Sequence, residues 1–368
     1  MKRVIFLIHD LCQGGAEKVL VNLVNNMDKT KFDVTVFSLF DVGVNKQFIS
    51  KDIRYRYLFK KVFRGNSHFF KLFSPKRLYK LLFKEEYDVV ISYLEGPTAR
   101  IVGGAPKGVK VVSWVHSTVK TTKELSASFR NKKEAERCYF RADQMVFVSR
   151  SVRDSFLNVC KTKNNVVLYN TVLSNDIICK SQDAVDEYHF HNARFDWCAV
   201  GKLVPLKGFD RMLRIHKRLI DSGIAAHFHI LGVGSEHERM NKWCIENNIS
   251  DSVTFWGYQT NPYKIVAKCD LFVCASHSEG FSTAATEALI VGTPVCTVEV
   301  GGMKEMLGEN NEWGIVTPND EEELYKAIKN LLDNPDCLKH YTEMAKLRGK
   351  SFSTEATVKA VEGMLLNQ

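Results

Sequence analysis

Short, nearly continuous apolar runs alternate with amphipathic stretches along most of this chain. Runs of that kind predict strands buried on both faces of a sheet, because a half-exposed strand would alternate apolar with polar residues. In the first half the predicted strands are "RVIFLI", "DVTVFSL", "YDVVISYL", "KVVSWV" and "QMVFVS", with a helix over "AEKVLVNLVNNM" after the first. In the second half they are "DWCAVG", "AHFHILGVG", "VTFWGY", "CDLFVCAS" and "TPVCTV", with helices such as "GFDRMLRIHKRLIDSG" between them. Strand and helix alternating through both halves predict two α/β domains, each a doubly wound parallel sheet covered by helices. The polar stretch over residues 175–194 has little periodicity and reads as a linker or long loop. In open sheets of this class ligands bind at the carboxyl ends of the strands, so the loops there carry the functional interest.

A length of 368 residues favours two domains, and 45% hydrophobic with 25% charged residues is an ordinary globular balance. The start, "MKRVIFLIHD", has basic residues before an apolar run, but Val4 to Ile8 is too short for a secretory core and reads as a first strand. No segment approaches the roughly 20 apolar residues that span a bilayer. The ten cysteines are scattered singly, several of them in apolar runs (Cys198, Cys269 and Cys274), which points to reduced core thiols in a cytosolic protein. Charge is unevenly placed. Residues 1–170 hold 31 Lys/Arg against 15 Asp/Glu, a net of +16, whereas residues 171–368 hold 20 against 27, a net of −7. Such a split suggests that the first half faces something anionic.

Several strand-end loops carry candidate chemistry. In "HSEGFSTAATEALIVGTPV", Glu279 sits on a strand-to-helix loop and Glu287 about one turn inside the following helix, which Ser282 or Thr283 caps and Gly292 and Pro294 end. Small residues between the two acids would admit an anion to the helix N-terminus; the plainer reading is a surface helix with two solvated acids. In "HDLCQGGAEK", Gly14 and Gly15 open a helix after the first strand and permit close backbone approach to a phosphate, or merely a tight turn. In "VGKLVPLKGFDRML", Lys202 and Lys207 could reach a diphosphate as point charges, or simply be solvated. His116 ends a strand in "SWVHST", and a lone histidine there is either structural or catalytic; His9 is similarly placed. "GVGSEHERM" lacks the third glycine of a dinucleotide fingerprint, and "HFH" at 189–191 is too short to argue a metal. No HExxH, GxSxG or DxD occurs.

Taken in order, "GGAEKVLVNL", "SWVHS", "LYNTV", "GKLVPLKGFD", "FWGY", "SEGFSTAATEA" and "GGMKEML" resemble the retaining GT-B glycosyltransferases of the GT4 type, within them the bacterial enzymes of lipid-linked surface polysaccharides. The resemblance runs over nearly the whole chain. It implies two Rossmann-like domains facing a central cleft: an acceptor domain over 1–170, a nucleotide-sugar domain over 171–350, and a C-terminal helix over 351–368 crossing back to the first domain. By the same resemblance Glu287 holds the ribose hydroxyls, while Glu279 lies by the transferred sugar. The backbone of Gly280, Phe281, Ser282 and Thr283 touches sugar and diphosphate. Lys202 and Lys207 neutralise the leaving diphosphate, Gly14 and Gly15 let the first domain close on it, His116 contacts the sugar, and Gly257 and Tyr258 frame the base. Glu279, His116 and Lys207 would form the catalytic set, with no cofactor and no metal. Two positions depart from the family pattern: lysine stands at Lys202 where arginine is usual, and Thr171 follows Asn170 where glycine is common.

The implied activity is transfer of a hexose or N-acetylhexosamine from a UDP-linked donor to a polyprenyl-diphosphate-linked glycan, with retention, on the inner face of the cytoplasmic membrane. Lys46–Lys84 holds 12 Lys/Arg and one acid, Asp52, among 10 Phe/Tyr. It is predicted to dock on an anionic membrane surface, with Phe69, Phe70 and Phe73 as anchors. Basic residues among aromatics also suit single-stranded nucleic acid, but the nucleotide-sugar motifs favour a lipid-linked partner and no nucleic acid. Two rival functions stand beside this one. A nucleotide-sugar epimerase would need no acceptor, and a nucleic-acid-binding protein without catalysis would leave the two spaced glutamates unexplained.

Overall fold

The computed structural model describes residues 1–185, 188, 190 and 194–367. Both histidines of the "HFH" sequence lie outside the described residues. The chain divides into two compact units, Met1–Val172 with Thr354–Gln368, and Leu173–Ser353.

In the N-terminal unit, β1 (Lys2–Ile8), β2 (Phe32–Phe40), β3 (Arg54–Phe59), β4 (Val89–Ser92), β5 (Lys110–Val115), β6 (Gln144–Phe147) and β7 (Asn165–Val167) form one sheet in the order β3-β2-β1-β4-β5-β6-β7. Every pair in it is parallel, with Lys2 opposite Phe32 and Ile8 opposite Ser38 between β1 and β2. In the C-terminal unit, β8 (Phe195–Val200), β9 (Ala226–Leu231), β10 (Val253–Gly257), β11 (Leu271–Cys274), β12 (Val295–Val298) and β13 (Ile315–Thr317) are ordered β10-β9-β8-β11-β12-β13, again all parallel. The strand order reverses between β1 and β4 in one sheet and between β8 and β11 in the other, and each reversal opens a crevice at the carboxyl ends.

All ten predicted strands are present, and the described residues hold three more: β3, β7 and β13. These three are edge strands. β7 and β13 are only three residues long, and β3 (Arg54 to Phe59) alternates exposed arginines with aromatics, so none presents a buried apolar run. The stretch expected to be a linker contains a helix, Ser174–Ser181, in which only Ile177 and Ser181 are buried, too little for a visible period. Thr171 is not among the non-glycine residues with positive φ, which among the described residues are Asn248 and Asn311, so the chain passes it without the strain that a glycine would relieve. The terminal helix Thr354–Leu366 belongs to the N-terminal unit. Its carbonyl at Leu365 accepts from Lys2 Nζ (2.8 Å), and Thr354 Oγ1 donates to Val172 O (2.7 Å).

The basic aromatic segment is partly core. Phe70, Tyr79 and Phe83 pack with Ile5, Leu7, Phe37 and Phe40. Phe70 is therefore no membrane anchor, which corrects the expectation for it. Its carbonyl is held from below by Arg100, a fully buried guanidinium that bonds Phe70 O (2.6 Å), Phe73 O (2.7 Å) and Glu134. Phe73 is half-buried, and its ring packs on that of Phe69.

The C-terminal core contains buried neutral histidines. Trp197 Nε1 donates to His216 Nδ1 (3.2 Å), which leaves the imidazole proton on Nε2, facing Ser252 Oγ (2.9 Å). Burial pushes His216 down to about 4 and His227 down to about 3. An unfolded histidine titrates near 6.5, so below that pH the unfolded chain binds protons that the folded unit refuses, and stability falls as pH drops. The loss is about 1.4 kcal/mol per pH unit for each histidine until the folded value is approached. Urea unfolding at about pH 7.5 and about pH 5 should show this loss, and His216→Gln should flatten the dependence. An unchanged dependence would remove His216 from the account.

Candidate active site

At the reversal between β8 and β11, two loops are laid against each other. The loop after β8 runs through Gly201 and exposed Lys202 into a short 3₁₀ turn, Pro205–Lys207. Gly208 ends that turn in the left-handed region (φ 67°), where a Cβ would stand 2.1 Å from Ala275 O. Only glycine lets the turn lie so close on the end of β11. His277 N donates to Leu206 O (2.8 Å) and fastens the two loops. Beneath them Arg211, itself buried, bonds Ala275 O through Nε (2.7 Å), Ser276 O (3.1 Å) and Asn319 Oδ1 (2.9 Å).

This scaffold brings Lys207 and Glu279 together. Lys207 Nζ lies 2.5 Å from Glu279 Oε1, and Ser276 Oγ donates to the same oxygen (2.7 Å). Lys202, from the same loop, takes no part in that pair. Glu279 is followed by Gly280 and by Phe281 and Ser282, both buried. Gly301, with φ 48°, approaches Glu279 O so closely that a Cβ would lie at 2.4 Å, and Gly302 N donates to Gly280 O (3.0 Å). Ser282 is the N-cap of the helix Thr283–Ile290, its Oγ accepting from Ala285 N (3.2 Å). Glu287 is buried within that helix, and its Oε1 accepts from the hydroxyl of Tyr263 (3.2 Å). Gly257 (φ 63°) closes β10 after a register shift, and Tyr258 beyond it is exposed.

In the N-terminal unit, Gly14 caps the helix Gly15–Asn26 with extended backbone. A Cβ at Gly14 would fall 1.9 Å from Glu17 Oε2, so the space over this glycine holds a carboxylate of the same helix. His116 follows β5; its backbone N–H donates to Glu95 Oε2 (3.0 Å) and its ring lies 4.7 Å from that of Tyr93. Burial pushes the imidazole down to about 3, so it is neutral at physiological pH. His116 Nε2, Tyr93 Oη and Trp114 Nε1 are all buried without a hydrogen-bond partner among the described residues. Each such group costs about 1–3 kcal/mol while unmet, and a polar ligand would recover it.

Tyr263, Ser276 and Arg211 escaped sequence reasoning. Their signals are a tyrosine after Asn-Pro, a serine ending an apolar run and an arginine on an amphipathic helix, none of which names a partner across the fold. Among the described residues no group of three His, Cys, Asp or Glu side chains is placed to hold a metal, and no helix is long and apolar enough to cross a membrane.

Residues 13–172 match the model of Glycosyltransferase Family 4, and residues 185–348 that of Glycosyl transferases group 1. The N-acetylgalactosamine-N,N'-diacetylbacillosaminyl-diphospho-undecaprenol 4-alpha-N-acetylgalactosaminyltransferase of Campylobacter jejuni is 26% identical, over 96% of both chains. Among solved structures, Anabaena Alr3699/HepE in complex with UDP and glucose superposes with a TM-score of 0.80 at 17% identity, covering 100% of both chains. The lipopolysaccharide outer core galactosyltransferase WaaB gives 0.71 at 18% identity, over 99% of both chains. The chain thus belongs to the GT-B glycosyltransferases, with a Glycosyltransferase Family 4 unit at its N-terminus and a group 1 unit at its C-terminus.

Proposed function

We propose that this glycosyltransferase moves a hexose or N-acetylhexosamine from a UDP-linked donor to a polyprenyl-diphosphate-linked glycan, with retention of configuration and without a metal. The observation that carries this reading is the ion pair of Lys207 with Glu279 at the strand-order reversal. The name of the Campylobacter relative supplies the acceptor class, and the UDP and glucose bound to HepE supply the donor class.

The ammonium of Lys207 has three N–H donors, so it can keep Glu279 and still meet a phosphate oxygen. As the bond from the anomeric carbon to the leaving oxygen breaks, its electron pair passes to the diphosphate, and the attraction to Lys207 grows. Lys202 adds charge to the same loop. Glu279 Oε1 is already bonded by Lys207 and Ser276, which weakens it as a nucleophile and suits it to orienting the sugar. We therefore favour front-face transfer. The acceptor hydroxyl bonds the anomeric carbon on the face that UDP leaves, and the departing phosphate oxygen takes the hydroxyl proton. Glu287 holds the ribose diol, and the backbone of Gly280 to Thr283 meets sugar and diphosphate. Gly257 and Tyr258 frame the base. Neutral His116 offers Nε2 to a sugar hydroxyl, and Gly14 and Gly15 present backbone to the phosphates.

Docking to an anionic membrane surface, on the inner face of the cytoplasmic membrane, belongs to the same proposal. Val62, Phe69 and Leu72 are exposed beside exposed Lys60, Lys61 and Arg64. Each cation contributes about 1 kcal/mol near anionic headgroups, and the apolar side chains enter the interface.

The reading is tested by incubating the protein with labelled nucleotide sugars, with and without membrane lipid extract, in the presence of EDTA. Label should pass from a UDP-sugar to the lipid fraction only when extract is present, at a rate that EDTA leaves unchanged. Conversion of the sugar without extract would indicate an epimerase instead, and rescue by added magnesium or manganese would overturn metal independence. Lys207→Ala should lower kcat by about 10²–10³, the range for losing one group that stabilises developing charge, while Lys202→Arg is tolerated. An intact rate in Lys207→Ala would refute the phosphate role. In sedimentation with anionic vesicles, the wild type should pellet and a variant carrying Lys60→Ser, Lys61→Ser and Arg64→Ser should remain in solution; equal pelleting would exclude this surface.

A further inference from the structure

We infer that Tyr263 is a positioning residue for ribose recognition: its phenol fixes the carboxylate of Glu287 and so sets how well the site separates ribonucleotides from 2'-deoxyribonucleotides. This rests on the reading of Glu287 as the ribose ligand, and goes beyond it by naming the group that makes that carboxylate selective.

A glutamate in a helix has several side-chain torsions, and a carboxylate that gathers two adjacent hydroxyls must present its oxygens in one plane. Glu287 is buried in the helix Thr283–Ile290, and the Tyr263 hydroxyl donates to its Oε1 at 3.2 Å. That bond occupies one side of Oε1 and fixes the plane of the carboxylate, as outer groups fix the ligands of a metal.

The phenol is itself held rigidly. Tyr263 is buried and opens the short helix Tyr263–Val266, whose first turn closes through Val266 N to Pro262 O (3.0 Å). On one side Asn261 Nδ2 bonds Lys180 O (2.9 Å) and Asp183 Oδ2 (2.8 Å) at the end of the helix Ser174–Ser181. On the other, Thr293 Oγ1 donates to Val266 O (2.8 Å). Tyr263 is thus pinned from both flanks, with its one polar atom on Glu287. Packing alone would be met by phenylalanine, so the hydroxyl is what the inference concerns.

The test compares binding of UDP and 2'-deoxy-UDP to wild type, Tyr263→Phe and Glu287→Gln by calorimetry, with melting temperatures measured alongside. The wild type should prefer UDP. Tyr263→Phe should bind UDP about tenfold more weakly, the effect of losing one hydrogen bond to a charged group, and 2'-deoxy-UDP with little change, so that the preference collapses at a nearly unchanged melting temperature. Glu287→Gln should lose the preference as well. If the wild type does not distinguish the two nucleotides, the ribose reading of Glu287 fails, and the inference with it. If Glu287→Gln loses the preference and Tyr263→Phe keeps it, the ribose reading stands and the role of Tyr263 is refuted. Equal weakening toward both nucleotides, or a collapsed melting temperature, would make Tyr263 a packing residue and also overturn the inference.

Discussion

The reversal of strand order between β8 and β11 is the constraint on which the C-terminal unit's chemistry depends. Connections on opposite sides of the reversal run in opposite directions, so the loops after the two strands meet with no helix between them. Lys207 and Glu279, 72 positions apart in the chain, share a hydrogen bond for that reason. Their side chains are 29% and 12% exposed, so the pair is partly desolvated, and removing one partner would leave the other poorly compensated. A ligand carrying negative charge changes this balance. It gives the ammonium a second partner without taking away the first.

Buried arginines hold the irregular loops in place. Arg211 binds the carbonyls of Ala275 and Ser276 and the side chain of Asn319, fixing the end of β11 where Glu279 departs. Arg100 does the same in the N-terminal unit for the carbonyls of Phe70 and Phe73, with Glu134 as counter-ion. In both cases a planar fork of donors binds two loop or helix-end carbonyls at once. The difference lies in the charge. Glu134 pairs directly with Arg100, whereas the acceptors bonded to Arg211 are neutral and the carboxylates of Asp210 and Glu321 act on it without a direct bond.

The central strands were legible because burial on both faces writes a continuous apolar run. The edge strands β3, β7 and β13 were not, because one side of each meets solvent or the strand is too short to show a pattern. Lys207 and Glu279 were legible as members of an ordered set of motifs, but their bond to each other was not, since it depends on strand order rather than spacing. The same limit hid Tyr263 and Arg211, whose partners lie on other elements. In the basic aromatic segment, composition alone could not separate Phe69, which is exposed, from Phe70, which is core. That distinction comes from packing across the fold, where Phe70 meets Phe37, Phe40 and the β1 residues Ile5 and Leu7.

The division of charge sharpens what the site must do. Residues 171–368 carry a net charge of −7, so the long-range field of the C-terminal half opposes a diphosphate. Screening limits that field to about 8 Å at physiological ionic strength, and within this range a few well-placed groups decide the outcome. Lys207 beside Glu279, Arg211 behind the same loop and the free N–H groups at the start of Thr283–Ile290 are such groups. Residues 1–170, with a net of +16, are under no such restriction, and much of their excess lies in Lys46–Lys84, with 12 Lys/Arg against one acid. A long basic run of that kind suits an extended anionic partner, whereas a few local charges in an acidic unit favour a small ligand that fits between them. The two halves are therefore suited to different anionic partners by the way each distributes charge.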